Sequence, residues 1–173
     1  ASESDQAAQG HAVLRAVLDA GGEVVAEDLG IIPSFVRESL GALQVPGYKV
    51  MRWERLWDVP GAPFCDPRYY PAHSLATSGT HDTDTLATWW TDLGSDQRAA
   101  VLAIPSVYER AAQAALSPKE SFVPRVRDAL LEALWASGSD RVVIPAQDLF
   151  GWTDRINVPG TVDTLNWTWK LPW

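Results

Sequence analysis

Three short strand candidates in this 173-residue chain each lead into acids or amides. Val24-Val25-Ala26 precedes Glu27-Asp28, Ser74 to Ser78 precedes His81-Asp82, and Val142-Val143-Ile144 precedes Gln147-Asp148. Glu27 and Asp82, if their runs lie side by side, are two carboxylates across a cleft. Cleavage of a glycosidic bond needs such a pair. One carboxyl acts as acid and then base on the leaving oxygen, and another bears or stabilises positive charge at the anomeric carbon. Their surroundings must differ, so that one holds a proton while the other is ionised. The apolar run before Glu27 makes it the candidate acid, and His81 a candidate donor to a sugar hydroxyl. Nine tryptophans include platforms for sugar rings, although core packing is the expectation for most of them.

Plainer readings of the same residues stay open. Asp82 or Thr83 is a competent cap for the helix that follows, and Asp28 is placed to pair with a nearby arginine. His81, Asp82, Asp84, Glu27 and Asp28 are all possible metal ligands, yet no second nearby histidine or H-x-H pattern accompanies them, so no metal is expected. No G-x-S-x-G or Walker pattern supports a serine hydrolase or a nucleotide-binding loop. No cofactor is expected.

These residues need elements to hold them. Helical spacing covers Asp5 to Ala20, with Val13, Leu14, Val17 and Leu18 on one face, and a second helix follows Pro33, with Val36, Leu40 and Leu43. Further helices are predicted over 84–93, 95–103, 106–115 and 121–136, the last with Val123, Val126, Leu130 and Leu134 as its stripe. Strands are predicted at 23–26, 48–53, 74–78 and 141–145. Residues 56–73, with four of the twelve prolines, form an irregular loop, and 152–173 is loop-like and aromatic. Apolar strands alternating with helices argue for a parallel sheet. Four strands do not close a barrel of eight, so the chain is either an open α/β sheet or half of a barrel. In both, the carboxyl ends of the strands are where sites are built.

The length suffices for one domain with a real core. A net charge of −8 and a pI near 4.7 disfavour nucleic acid and anionic membranes as partners. Cys65 is the only cysteine, which excludes an intrachain disulfide and a cysteine-rich metal site. No apolar run approaches the roughly 20 residues of a membrane helix, and a cytoplasmic location is expected.

Five motifs in register are more specific than any of these arguments. They are Ala26-Glu27-Asp28-Leu29-Gly30, Val45-Pro46-Gly47-Tyr48-Lys49-Val50, Gly79-Thr80-His81-Asp82-Thr83-Asp84, Pro145 to Gly151, and Arg155 to Thr161 with Asn166-Trp167 beyond. The series resembles the 4-α-glucanotransferases (amylomaltases, disproportionating enzymes) of glycoside hydrolase family 77. The resemblance implies an α/β fold, the second half (strands five to eight) of a (β/α)8 TIM-type barrel, as a single incomplete domain over 1–173. It also implies retaining transfer of α-1,4-glucan segments between maltooligosaccharides. Glu27 then looks like the general acid/base and Asp82 like the carboxylate that stabilises the transition state. His81, Asp28, Trp53, Gln147, Asp148 and Asn157 become sugar-binding candidates, with Arg155 and Asn166 as further residues that could line the site. The family's nucleophile is an aspartate two residues after an arginine at the end of barrel strand four. It has no counterpart here, since Arg125-Val126-Arg127-Asp128 lies within a predicted helix. The chain is therefore expected to be inactive alone, and to depend on the missing N-terminal half of the barrel or on self-association. A glucan-binding module without catalysis and an α-amylase-type hydrolase are the alternatives.

Overall fold

Ser2 and Asp5 cap each other reciprocally, each side chain accepting the other's amide at 3.1 and 3.0 Å, and so open helix α1, Glu3–Asp19. This is the first element of the computed structural model, which describes residues 2–172. Helix α1 buries no residue completely and leaves Val13 and Val17 exposed. It packs through Leu14 and Leu18 on a small cluster built by Leu40, Leu43 and Val45, which surround the end of helix α2, Ser34–Ala42.

The sheet follows. Strands β1 (Gly47–Val50), β2 (Ser74–Thr77) and β3 (Arg141–Val142) lie in the order β1-β2-β3, all parallel. Tyr48 stands opposite Leu75, and Leu75 opposite Arg141. The strand predicted at 23–26 reduces to one bridge, Ala26 to Gly47, parallel to β1. The reason is geometric: it pairs along one edge only, and Asp28 then takes over the next β1 amide, accepting Tyr48 N–H at 2.8 Å. Gly47 permits this approach, because a Cβ there would sit 2.5 Å from the Asp28 carboxylate. The first and last strands are shorter than predicted, and β1 begins one residue earlier, at Gly47. Met51 to Trp53 turn away, and β3 stops at Val142.

Between β2 and β3 lie α3 (Leu86–Asp92), α4 (Ser95–Leu102), α5 (Pro105–Gln113) and α6 (Pro124–Trp135). They form the main core. Trp90, Leu86, Val101, Val107, Val126, Leu130 and Leu134 are all at 0 % exposure there, against Met51 and Ala76 of the sheet side. The predicted α6 stripe holds, apart from Val123, which is only partly buried. A short helix α7, Ala146–Phe150, follows β3 and ends at Gly151 with φ +75°.

Core packing of most tryptophans is not observed. Among the described residues Trp90 alone is buried, while Trp53, Trp57, Trp135 and Trp167 are exposed. An indole has more surface than this thin α/β layer covers, and Trp90 manages full burial because its Nε1 donates to Glu120 O at 3.0 Å.

Asp66 ties the irregular loop to this core. It accepts Arg68 N–H and the Arg68 guanidinium at 3.0–3.2 Å, and Ser106 N–H at the start of α5 at 3.1 Å. Burial by itself would raise this carboxyl, but the bonds from Arg68 and Ser106 outweigh it and hold it below its ordinary 3.8. The stability it contributes is therefore present above 3.8 and lost as pH falls through its lower folded value. Asp66→Ala should cost about 2–3 kcal/mol at pH 7, the penalty for leaving a buried donor unmet. The difference between variant and parent denaturation midpoints should shrink as the pH is taken below 3.8.

Candidate functional site

The turn after β2 is where the sequence concentrated its chemistry, and it is held from four sides. Within the turn, Thr80 N–H donates to Thr83 Oγ1 at 3.0 Å and Asp82 N–H to Thr80 Oγ1 at 3.2 Å. Neither Asp82 nor Thr83 caps the helix beyond. Thr85 does, its hydroxyl accepting Thr88 N–H. Thr83 is committed to the turn, and the Asp82 side chain points instead to Asn157, whose amide donates to Asp82 Oδ1 at 2.6 Å. His81 Nε2 lies 3.5 Å from the same oxygen.

Below the turn Asp148 is buried to 1 % exposure. Its Oδ2 accepts Ser78 Oγ–H at 2.5 Å and its Oδ1 accepts Leu86 N–H at 2.6 Å. One carboxylate thus pins both ends of the 78–86 segment. Burial raises the Asp148 carboxyl above its ordinary value, with the Leu86 and Ser78 bonds and the Arg52 charge working against it. From the β1 side Arg52, also buried, donates to Ser78 O at 3.0 Å and Asp84 O at 2.8 Å, and its guanidinium lies 5.2 Å from the Trp89 ring centroid. Burial lowers Arg52 to about 10, and Arg155 pushes the same way against Asp148 and Asp84. From the C-terminal segment Arg155 donates to Asp82 O at 2.8 Å and pairs with the Asp84 carboxylate.

Two clefts meet at this turn. A smaller one of about 230 Å³ is lined by Glu27, Tyr48, Thr77, His81, Gln147 and Arg155 among others. A larger one of about 830 Å³ carries Glu27, Trp53, Trp57 and Asp82. Glu27 borders both and is exposed, so the apolar enclosure expected around it is absent from this chain. The cause is the single bridge at Ala26, which leaves the following residues without a second neighbouring strand.

The remaining predicted residues divide. Trp53 stands on the larger cleft, 46 % exposed. Gln147 is buried against the smaller one, with its Nε2 unpartnered. Asp28 has an almost buried carboxylate given over to Tyr48 N–H and to Arg37, 3.0 Å away. Asn166 closes the loop 158–166 through Val158 N–H and Thr161 and is not among the residues lining either cleft. Nothing in the local sequence pattern marks Arg52, and the motif ending in Asn166-Trp167 gives Trp167 no role. The Trp167 ring lies 4.9 Å from that of His81. Its φ of 64° is unusual for a bulky residue and is a marker of a constrained position. Among the described residues no three His, Cys, Asp or Glu side chains gather closely enough to hold a metal ion. No helix among them is long and apolar enough to cross a membrane.

A parallel sheet with carboxylates, a histidine and amides gathered at its carboxyl edge defines an α/β protein with its candidate site where such folds build theirs. Residues 3–173 match the family model of glycoside hydrolase family 77, 4-alpha-glucanotransferase, and the chain belongs to that family. It is 31 % identical over 172 residues to a 4-alpha-glucanotransferase of Chlamydia trachomatis, covering 95 % of this chain and 31 % of the relative. It is 28 % identical over 167 residues to the chloroplastic/amyloplastic 4-alpha-glucanotransferase of Solanum tuberosum, covering 94 % and 26 %. The amylomaltase of Streptococcus agalactiae in complex with acarbose superposes with a TM-score of 0.63 at 25 % identity, over 86 % of this chain and 27 % of that one. The Corynebacterium glutamicum amylomaltase, at 22 % identity and a TM-score of 0.58, shares the fold. The chain spans about a third or less of the length of these relatives.

Proposed function

We propose that this chain supplies two of the three carboxylates of a retaining α-1,4-glucan transferase. Glu27 is the general acid/base and Asp82 the carboxylate that stabilises the transition state. The observation that carries the reading is that both line one cleft of about 830 Å³ at the carboxyl edge of the sheet. Asp82 is aimed there by Asn157 and flanked by His81. Glu27 protonates the glycosidic oxygen as it leaves. An aspartate from polypeptide outside residues 1–173 takes the anomeric carbon, and Asp82 stabilises the positive charge that develops on the sugar. Glu27, now ionised, then removes the proton from the incoming acceptor hydroxyl, and the new α-1,4 bond forms with retention. His81, Trp53 and Gln147 contact the sugars. Asp28, Asp148 and Asn157 hold the residues that do.

The sheet supports the half-barrel reading that this chemistry requires. Its segments run in chain order and in parallel from Ala26 to β3. Ala76 and Val142 pack into the helical core, whereas the alternate residues Tyr48, Leu75, Thr77 and Val143 line the smaller cleft. That second face is the inner wall of a barrel closed by strands one to four, or by self-association. Partners are maltooligosaccharides or other α-1,4-glucans. The purified chain incubated with maltotriose should release no glucose, and adding the upstream half of the barrel should start disproportionation. Full activity from the chain alone would refute the division of carboxylates.

A further inference from the structure

The segment from Glu54 to Cys65 contributes only Phe64 to the buried core, yet it is fastened throughout. Arg55 and Phe64 form an antiparallel bridge. Leu56 N–H donates to Pro63 O at 2.9 Å, Val59 N–H to Leu56 O at 3.0 Å and Ala62 N–H to Val59 O at 2.9 Å. Cys65 N–H closes the base on Glu54 O at 2.9 Å. The Arg55 guanidinium lies 3.4 Å from the Phe64 ring centroid and donates to Ala62 O. At the base Lys49 pairs with Glu54 at 3.0 Å. This rigid hairpin presents Trp57, 75 % exposed, to the larger cleft shared by Glu27 and Asp82. Trp57 is absent from the smaller cleft.

The chemistry of the wall says what an indole there would meet. The lysine, Lys49, is paired with Glu54, and Arg37 with Asp28. The cleft is lined by four acids, Glu27, Asp28, Glu54 and Asp82, and four basic side chains, Arg37, Lys49, Arg52 and Arg55, so it offers polar groups to a neutral ligand rather than a net field to an ion. A chain of pyranose rings presents apolar ring faces to an indole and hydroxyls to the polar groups around it. A preordered aromatic also binds without the entropic cost of fixing a loop.

We infer that Trp57 stacks on a sugar unit at some distance from the reacting bond and sets the preference of this cleft for long α-glucans over short ones. The inference rests on the glucan reading of the site. Calorimetric titration of the chain with maltoheptaose and with maltose tests both. Trp57→Ala should weaken maltoheptaose binding about fivefold to tenfold while moving maltose less than twofold, and Trp57→Phe should recover most of the loss. The hairpin is tied by backbone bonds and by Arg55, so the exposed substitution leaves the fold intact, which circular dichroism checks. Equal maltoheptaose affinity in Trp57→Ala and parent would overturn the role of Trp57 and leave the glucan reading standing. A parent chain that binds neither sugar would overturn the glucan reading, and this inference with it.

Discussion

Asp148→Ala should destabilise the chain by about 3–5 kcal/mol, the size of effect seen when one member of a buried charged network is removed. The substitution would strand the buried Ser78 hydroxyl and the Leu86 amide, both of which bond to this carboxylate alone in the 78–86 segment. It would also remove an anion that favours the buried Arg52 charge. Asp148→Asn keeps an acceptor for Leu86 and a group for Ser78, and should stay within about 1 kcal/mol of the parent. The two variants separate hydrogen bonding from charge. Their pH dependence is fixed in sign. Burial raises the Asp148 carboxyl above 3.8, so the parent's advantage over Asp148→Asn is full below 3.8 and declines as pH rises through the raised value. Urea midpoints of the three proteins between pH 3 and 7 check this. An unchanged midpoint for Asp148→Ala would contradict the role given to the residue.

In a mixture with the proposed upstream half, Glu27→Gln should lower transfer by a factor on the order of 10²–10⁴, the usual contribution of a positioned general acid/base. The glutamine cannot protonate a leaving oxygen or accept a proton from the acceptor hydroxyl. Maltoheptaose affinity should change little, because Glu27 is exposed at the meeting of the two clefts and the proposed sugar contacts fall on other residues of their walls. Steady-state kinetics beside calorimetry would show a fall in kcat with near-constant binding. A proportionate fall in affinity would instead make Glu27 a sugar-binding residue.

Much of this arrangement could be read from local pattern. The stripe on α6 buries because Val126, Leu130 and Leu134 recur at helical spacing, and spacing survives into the fold. The acids at the strand ends were legible because strands end where apolar runs end. Residues 23–26 misled for a physical reason: an apolar run becomes a strand only where neighbours pair with it, and here one edge alone is paired. Arg52 and Arg155 were harder. Their partners lie at 78, 82 and 84, reached only after folding brings separate strand ends together. Asp148 is a sugar-binding candidate by position; it borders the smaller cleft, and what folding adds is its near-complete burial and its bonds to Ser78 and Leu86. The tryptophans misled because hydrophobicity alone does not say whether a fold has enough thickness to cover an indole.

The most direct test is disproportionation of maltotriose by the chain combined with the upstream half of the barrel, beside the same mixture carrying Glu27→Gln. Glucose and longer oligosaccharides from the first mixture, and none from the chain alone or from the variant, is the predicted result. Equal transfer by parent and Glu27→Gln mixtures would contradict the assignment of the acid/base, and with it the central claim that this chain carries that half of the chemistry.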